Sequence, residues 1–361
     1  MTQQTWVELY AAHDPGTTNT EMTSTDASVQ AWNESYRLTS YTNMWHATKD
    51  NSYLDKAVYN IDAIFAAAAK NTDTLLPGWG WTSANYSTNK VPYSYIVSDG
   101  MILTAIAEYV RCVLTNQPLL QSYKAKADYY LGILISKFAS RWDFCYQTER
   151  AALLDFTDDI GFFVMAKWCT GYAGLPPGIS LPFNQSNAFA RFLLKLYAVT
   201  GNNDYLTKAV QIANTMKFKA LKPTAGGVLW NFAADLLSTD GTRYMPVSDV
   251  SHSNVDASFI LEMYEHGNVF TQTTIDEIKY QLLNVIWDKT KNVSHVFMDG
   301  TDQDSTIEID NLTGYALFGA DPAVAAAIWS MMSNPASKCN GPMMALTIAN
   351  LAMSSKTAGP T

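Results

Sequence analysis

A mainly α chain closed into a ring of helical hairpins, an (α/α)6 or (α/α)7 toroid, is the fold class this sequence predicts. Three observations carry it. The first is a repeat: Thr48-Lys49-Asp50-Asn51-Ser52-Tyr53-Leu54-Asp55-Lys56-Ala57-Val58 aligns with Thr200-Gly201-Asn202-Asn203-Asp204-Tyr205-Leu206-Thr207-Lys208-Ala209-Val210, and Tyr123-Lys124-Ala125-Lys126-Ala127 is a weaker third copy. A recurring helix–turn–helix unit cannot bury its apolar face alone, so its copies stack. The second is an alternation of helix types. Met101 to Val113 and Met343 to Met353 are nearly apolar all round, whereas 119–139 carries Lys124, Lys126 and Asp128 on a wet face. Helices apolar on every side are buried, so the alternation predicts an inner and an outer ring. The third is the weakness of strand signals, with no linker before a polar tail at 354–361, which makes 1–361 one domain.

The elements follow in order. Val29, Trp32, Tyr36, Leu38, Tyr41, Met44 and Trp45 recur at helical spacing and predict a helix over 26–47. Asp50 and Asn203 are the expected caps of the helices that open the two repeat copies, at 52–70 and 204–219. Further helices are expected at 99–115, 119–139, 158–172, 185–199, 254–266, 273–289, 322–333 and 341–354. Gly226 to Trp230 and Val293 to Phe297 read as short hairpin strands. The connections 71–98, 140–157, 173–184, 220–252 and 290–312 are long, and long loops in a compact domain usually have work to do. They are expected on one rim of the ring.

Composition narrows the partners. Charged residues make up 16% of the chain, against a usual ~25%, and the formal net charge is -9. That balance argues against nucleic acid, where Lys and Arg must neutralise phosphates. No apolar run reaches bilayer-spanning length. The first residues show no basic-then-apolar leader, and a secreted or virion-associated protein is the favoured expectation. A surface rich in Asn, Thr, Ser, Tyr and Trp suits a polysaccharide or oligosaccharide. Cys112, Cys145, Cys169 and Cys339 are scattered, with no metal-binding spacing, so no metal or other cofactor is expected. Asp299 to Asp304 with Asp310 is a poor calcium loop, lacking its central Gly and final Glu.

Four segments carry candidate chemistry. Arg243, Tyr244, Asp249, Ser251, His252, Asn254 and Asp256 crowd a loop-to-helix junction, where a His can exchange a proton and a helix start favours an anion. Asn184 and Gln185 open another helix, as cap or as amides for a carboxyl or hydroxyl group. Asp155, Asp158 and Asp159 precede the expected helix at 158–172, either as capping charges or as a general acid or base for glycoside hydrolysis, with Asp99, Asp249, Asp256 or Asp310 as partner carboxylate. Trp79 and Trp81, with Tyr86, Tyr93, Tyr95 and Asp99, fill a Gly-containing loop and are candidates for stacking on sugar faces. His46 falls on an apolar helix side and reads as a core residue.

Hairpins joined by Tyr-Leu-x-Lys-Ala turns resemble the helical-toroid carbohydrate-active enzymes. Within that class, Asn184-Gln185 and Ser251-His252-Ser253-Asn254-Val255-Asp256 resemble polysaccharide lyases and uronyl epimerases. The resemblance implies that Asn184, Gln185 and Arg243 hold a uronate carboxylate, and that His252 or a Tyr takes the C5 proton. Tyr244, with Tyr315 second, then protonates the leaving oxygen in a β-elimination. The class also includes mannanases, which an Asp-Asp pair resembles; Asp158-Asp159 then implies hydrolysis. A non-catalytic glycan-binding or virion adhesion module is the third expectation.

Overall fold

The computed structural model describes residues 3–14, 16, 19–71, 76–85, 90–149, 158–165, 178–234, 236–237, 243–244, 247–302, 311–337, 339 and 341–357. The chain opens with α1 (Gln3–Ala11) and the single turn α2 (Ala27–Val29), whose cap Asp26 accepts from Ser28 N. A π-helical turn, Gln30–Glu34, runs straight into α3 (Ser35–Thr48), and α4 (Ser52–Ala68) returns beside it. The pattern repeats with α5 (Ile96–Thr115) and α6 (Lys124–Ile133), α7 (Phe183–Thr200) and α8 (Asn203–Thr215), and α9 (Val250–Glu265) and α10 (Gln272–Gln281). A short 3-10 helix, Tyr315–Phe318, pairs with α11 (Pro322–Met332), and α12 (Gly341–Thr357) pairs with α1.

The inner members touch in sequence around the ring: α3 on α5, α5 on α7, α7 on α9, α9 on the turn at 315–318, that turn on α12, and α12 on α3. The hairpins therefore number six among the described residues, an (α/α)6 toroid. Burial follows the alternation expected from sequence. On α5 every residue from Ile96 to Val110 is buried, whereas α8 buries one stripe, including Ala209, Ile212 and Ala213.

The repeat becomes a repeated hydrogen-bond pattern. Thr48 Oγ1 donates to Met44 O and accepts from Asp50 N, and Thr200 Oγ1 does the same with Leu196 O and Asn202 N. Asp50 then takes Ser52 N at 2.9 Å, and Asn202 takes Asp204 N at 3.0 Å. The cap of α8 is thus Asn202, the true counterpart of Asp50, and Asn203 is the first helical residue. The inner helices of these two copies, α3 and α7, each end on a left-handed residue, Lys49 at φ 64° and Gly201 at φ 68°.

Because outer helices separate them, the inner helices all run in one direction. Inner-to-outer turns are short and lie at one rim; the long outer-to-inner connections lie at the other. The long ones carry four two-stranded antiparallel hairpins: β1 (Tyr146–Glu149) with β2 (Ile160–Phe163), β3 (Leu221–Pro223) with β4 (Val228–Trp230), β5 (Leu236–Leu237) with β6 (Arg243–Tyr244), and β7 (Trp287–Asp288) with β8 (Val293–Ser294). The expected strands at 226–230 and 293–297 correspond to β4 and β8. The helices α6, α8 and α10 each end in a five-residue π turn before such a strand.

The helix expected at 158–172 is not formed where it is described. Ile160, Gly161, Phe162 and Phe163 are all buried as β2, a run that a strand covered on both faces accommodates. Gly161 is required there, because a Cβ would lie 2.0 Å from Tyr146 Oη.

Candidate functional site

The starts of α7 and α9 form the best-defined polar site on the long-loop rim. Asp249 is the N-cap of α9 and takes His252 N at 2.9 Å. Its other oxygen lies 2.5 Å from His252 Nδ1. The imidazole packs edge-on against Phe232, ring centres 4.8 Å apart, and keeps 36% of its side chain exposed. Burial opposes a charge on this ring, but the Asp249 carboxylate, with Asp256 behind it, outweighs burial and raises its pKa.

One turn deeper on α9, Asp256 is 1% exposed. It accepts from Asn187 Nδ2 at 2.7 Å and Trp230 Nε1 at 3.0 Å. Burial pushes its carboxyl up to about 7, against those two hydrogen bonds. Asn184 and His252 each stand one turn nearer the rim than the Asn187–Asp256 pair. Phe183 N donates to Phe232 O at 3.0 Å, so one loop residue ties the start of α7 to the ring of His252.

The expected site residues separate into groups. Asn184 is 2% exposed and its Oδ1 lacks a hydrogen-bond partner. It is not the helix cap, because α7 begins at Phe183 after Pro182, which offers no capping side chain. Gln185 is buried beside it. Tyr315 is fully buried, 2.8 Å from Ser253 Oγ, and burial raises its phenol pKa well above the ordinary value. It is a neutral hydroxyl anchored below the surface. Arg243 and Tyr244 lie in β6, opposite Leu237 and Leu236. Asp158 and Asp159 are both exposed at the head of β2. The backbone there is held by α8: Asn214 Nδ2 donates to Asp159 O at 2.9 Å. Asp155, Asp310 and Tyr86 lie outside the described residues.

Other expected site residues are engaged inside the fold. Asn254 locks helix to turn: its Nδ2 donates to Asn311 and Thr313, and its Oδ1 accepts from Gly314 N. Asp99 is fully buried, taking Arg141 Nε at 3.2 Å and Trp142 Nε1 at 2.9 Å, and so joins the start of α5 to the segment after α6. Trp81 is 1% exposed and stacks on Phe138 at 5.5 Å, and Trp79 packs on Phe65 at 5.9 Å. Tyr93 and Tyr95 are buried with Tyr36 and Met101. The core takes Trp81, Tyr93 and Tyr95, and Trp79 lies half-buried against it. His46 is not in the core but in the wall of an axial cavity, its Nε2 3.8 Å from Glu108.

Sequence reasoning passed over Phe232, Asn187 and Trp230. It also passed over a charged belt inside the ring: Arg191 forks Glu262 at 3.0 and 3.2 Å, Arg111 forks Glu108, and Lys195 lies 3.2 Å from both glutamates. The signal was present, since charges on otherwise apolar inner helices must be paired. No group of three or more metal-ligating side chains occurs among the described residues. No described helix is long and apolar enough to cross a membrane.

No protein-family model and no curated protein matches this chain. Solved structures do. The GH76A α-1,6-mannanase of Salegentibacter sp. HEL1_6 superposes with a TM-score of 0.54 at 12% identity, over 91% of this chain and 89% of that one. The same mannanase is also known as an inactive variant, with two adjacent aspartates replaced by asparagine, in complex with α-1,6-mannotriose (TM-score 0.53, 12% identity, 91% and 88% covered). A glycosyl hydrolase family 88 protein from Bacteroides vulgatus matches at 0.53 and 10% identity, over 99% and 100%. The cellobiose 2-epimerase of Spirochaeta thermophila DSM 6192 matches at 0.51 and 9% identity, over 90% and 85%. At such identities the likeness is one of fold, and it agrees with the six-hairpin ring.

Proposed function

We propose that this chain is a carbohydrate-active enzyme that hydrolyses glycosidic bonds at its long-loop rim. The observation that carries the reading is the Asp158–Asp159 pair. It is the one place where two aspartates adjoin in the sequence, and both side chains are open to solvent. Glycoside hydrolysis needs one carboxyl to protonate the leaving oxygen and a second carboxylate to attack or to activate water. A mannanase of the same fold is inactive when two adjacent aspartates are replaced. These comparisons favour hydrolysis over the β-elimination that the helix-start motifs alone put first. The low charge content of the chain fits a neutral glycan.

The His252–Asp249 pair supports a second reading, proton transfer at a sugar carbon, as in elimination or epimerisation. His252 Nδ1 is engaged by Asp249, and Nε2 is the nitrogen left to take or give a proton.

One experiment separates the two. The protein is incubated with neutral and uronate-containing polysaccharides while new reducing ends and the ultraviolet absorbance of a conjugated double bond are followed. Reducing ends without absorbance, lost in the Asp158→Asn/Asp159→Asn double variant, support hydrolysis. Absorbance that is lost in His252→Ala and kept in the double variant overturns it in favour of elimination.

A further inference from the structure

A large cavity lies away from the long-loop rim. It lies on the ring axis, with a volume of about 660 Å³, and is lined by α3, α5, α7, α9, the turn at 315–318 and α12. Tyr36, Met101, Val255 and Leu346 roof it, packed into one buried cluster with Tyr93 and Tyr95. That cluster stands between the cavity and the long loops. The exposed lining residues, among them Lys49, Glu265 and Gln272, sit at the opposite ends of the inner helices. The cavity therefore opens at the short-turn rim.

Its walls set the ligand chemistry. The middle is neutral and polar, with Thr39, Asn43, Thr104, Ser258, Thr313 and Asn350. The mouth carries the belt of Arg111, Arg191, Lys195, Glu108 and Glu262, paired so that one positive charge is left over. Lysines and arginines in the lining outnumber aspartates and glutamates by only five to four. Such a balance gives little net field to draw an ion, and the apolar lining from Met101, Val255, Leu261 and Ile275 offers faces for the C–H side of a sugar ring. The polar walls offer planar guanidinium, carboxylate and amide groups, whose paired donors and acceptors match neighbouring hydroxyls on a sugar ring. Two lining groups are only loosely engaged: His46 Nε2 stands 3.8 Å from Glu108, and Glu265 forms no ion pair among the described residues, feeling Lys195 and Arg111 only through space. The volume lies within the roughly 300–1,000 Å³ of small-molecule sites.

We propose that this axial cavity is a second ligand site, which binds a neutral mono- or disaccharide through the rim opposite the long loops. The site stands apart from whichever reaction the other rim performs.

The test is calorimetric titration of the intact protein with glucose, mannose, cellobiose and α-1,6-mannobiose, and with glucuronate and glucose 6-phosphate as charged counterparts. Leu261→Trp fills the cavity from α9, and Glu265→Gln alters its mouth without touching a salt bridge. The expected result is at least tenfold weaker binding of the neutral sugar in Leu261→Trp, weaker binding in Glu265→Gln, and unchanged binding in His252→Ala and in Asp158→Asn/Asp159→Asn. In the unmodified protein, methyl NMR shifts on Ile275 and Met353 should follow the titration while Val250 stays still, which keeps the test open if Leu261→Trp folds poorly. Loss of binding in His252→Ala with none in Leu261→Trp, shifts at Val250 alone, preference for the charged sugars, or no binding by any probe each overturns the proposal.

Discussion

Asp249 divides its carboxylate between two atoms of the same residue: one oxygen takes the backbone N–H of His252 and the other meets its Nδ1. Helix cap and imidazole partner are one side chain. The start of α9 thus sets both the position and the charge of the ring.

Asp249→Asn tests this directly. Asn caps a helix about as well as Asp, so the helix start survives while the charge is removed. The His252 pKa should fall, read by NMR titration of its ring protons. A raised folded-state pKa stabilises the fold below the unfolded value, and that contribution is lost as pH rises through the folded value. The stability gap between the unmodified protein and the variant should therefore be widest in mild acid and narrow towards alkaline pH. If His252 transfers the proton in catalysis, the pH–rate profile moves to lower pH as well.

Asp256 gives a second pH signature. Burial holds its carboxyl up at about 7 in the fold against 3.8 ordinarily, so the native state holds the proton after the unfolded chain has lost it. Stability should fall as pH rises across that window, with a limiting slope of about 1.4 kcal/mol per unit. Asp256→Asn should flatten the curve in urea melts at pH 5, 6 and 7. Asn187, whose Oδ1 has no partner, can turn its amide to accept from the new NH₂ group. A curve of undiminished slope would show that another group is responsible.

Lys195 is the keystone of the charged belt. Lys195→Met would leave Glu108 and Glu262 facing each other with one cation fewer, and removing one partner from a buried pair costs about 3–5 kcal/mol. Adding Glu262→Gln should return part of that loss, as measured by thermal melting.

Two glycines predict opposite signs. A Cβ on Gly100 would sit 2.6 Å from the backbone of Ala188 and Phe189, where α5 and α7 press together. Gly100→Ala should cost about 1–3 kcal/mol. Gly132 is exposed on α6 with nothing within 4 Å of a Cβ, and Gly132→Ala should gain up to about 1 kcal/mol. Denaturant midpoints of the two variants check both.

The ring was legible in the sequence because its cause is local. A Thr that bonds back to its own helix and a cap two residues later recur with recognisable letters, and apolar-all-round helices announce the inner layer. The contact between Asp249 and His252 is local for the same reason, since three residues separate them. What escaped was set by distant partners. Nothing near Trp81 reveals that Phe138 lies flat on it, nothing near Asp99 reveals Arg141, and the strand at Ile160 is decided by Tyr146 and α8. The axial cavity is a property of six elements at once, and no window of sequence contains it.

The closure of the ring also has a consequence in time. Asn43 on α3 donates to Asn350 on α12 at 2.6 Å, and Asn350 donates to Thr313 O at 2.7 Å. This clasp spans 307 residues of chain. Synthesis at roughly 5–20 residues per second leaves α3 waiting tens of seconds for the helix that covers it. Through that interval five hairpins can stack on one another, but the growing arc has an open seam, with Tyr36, Leu38 and the other α3 residues at its edge still wet. The rate of synthesis, more than the folded energy, sets how long that seam stays exposed.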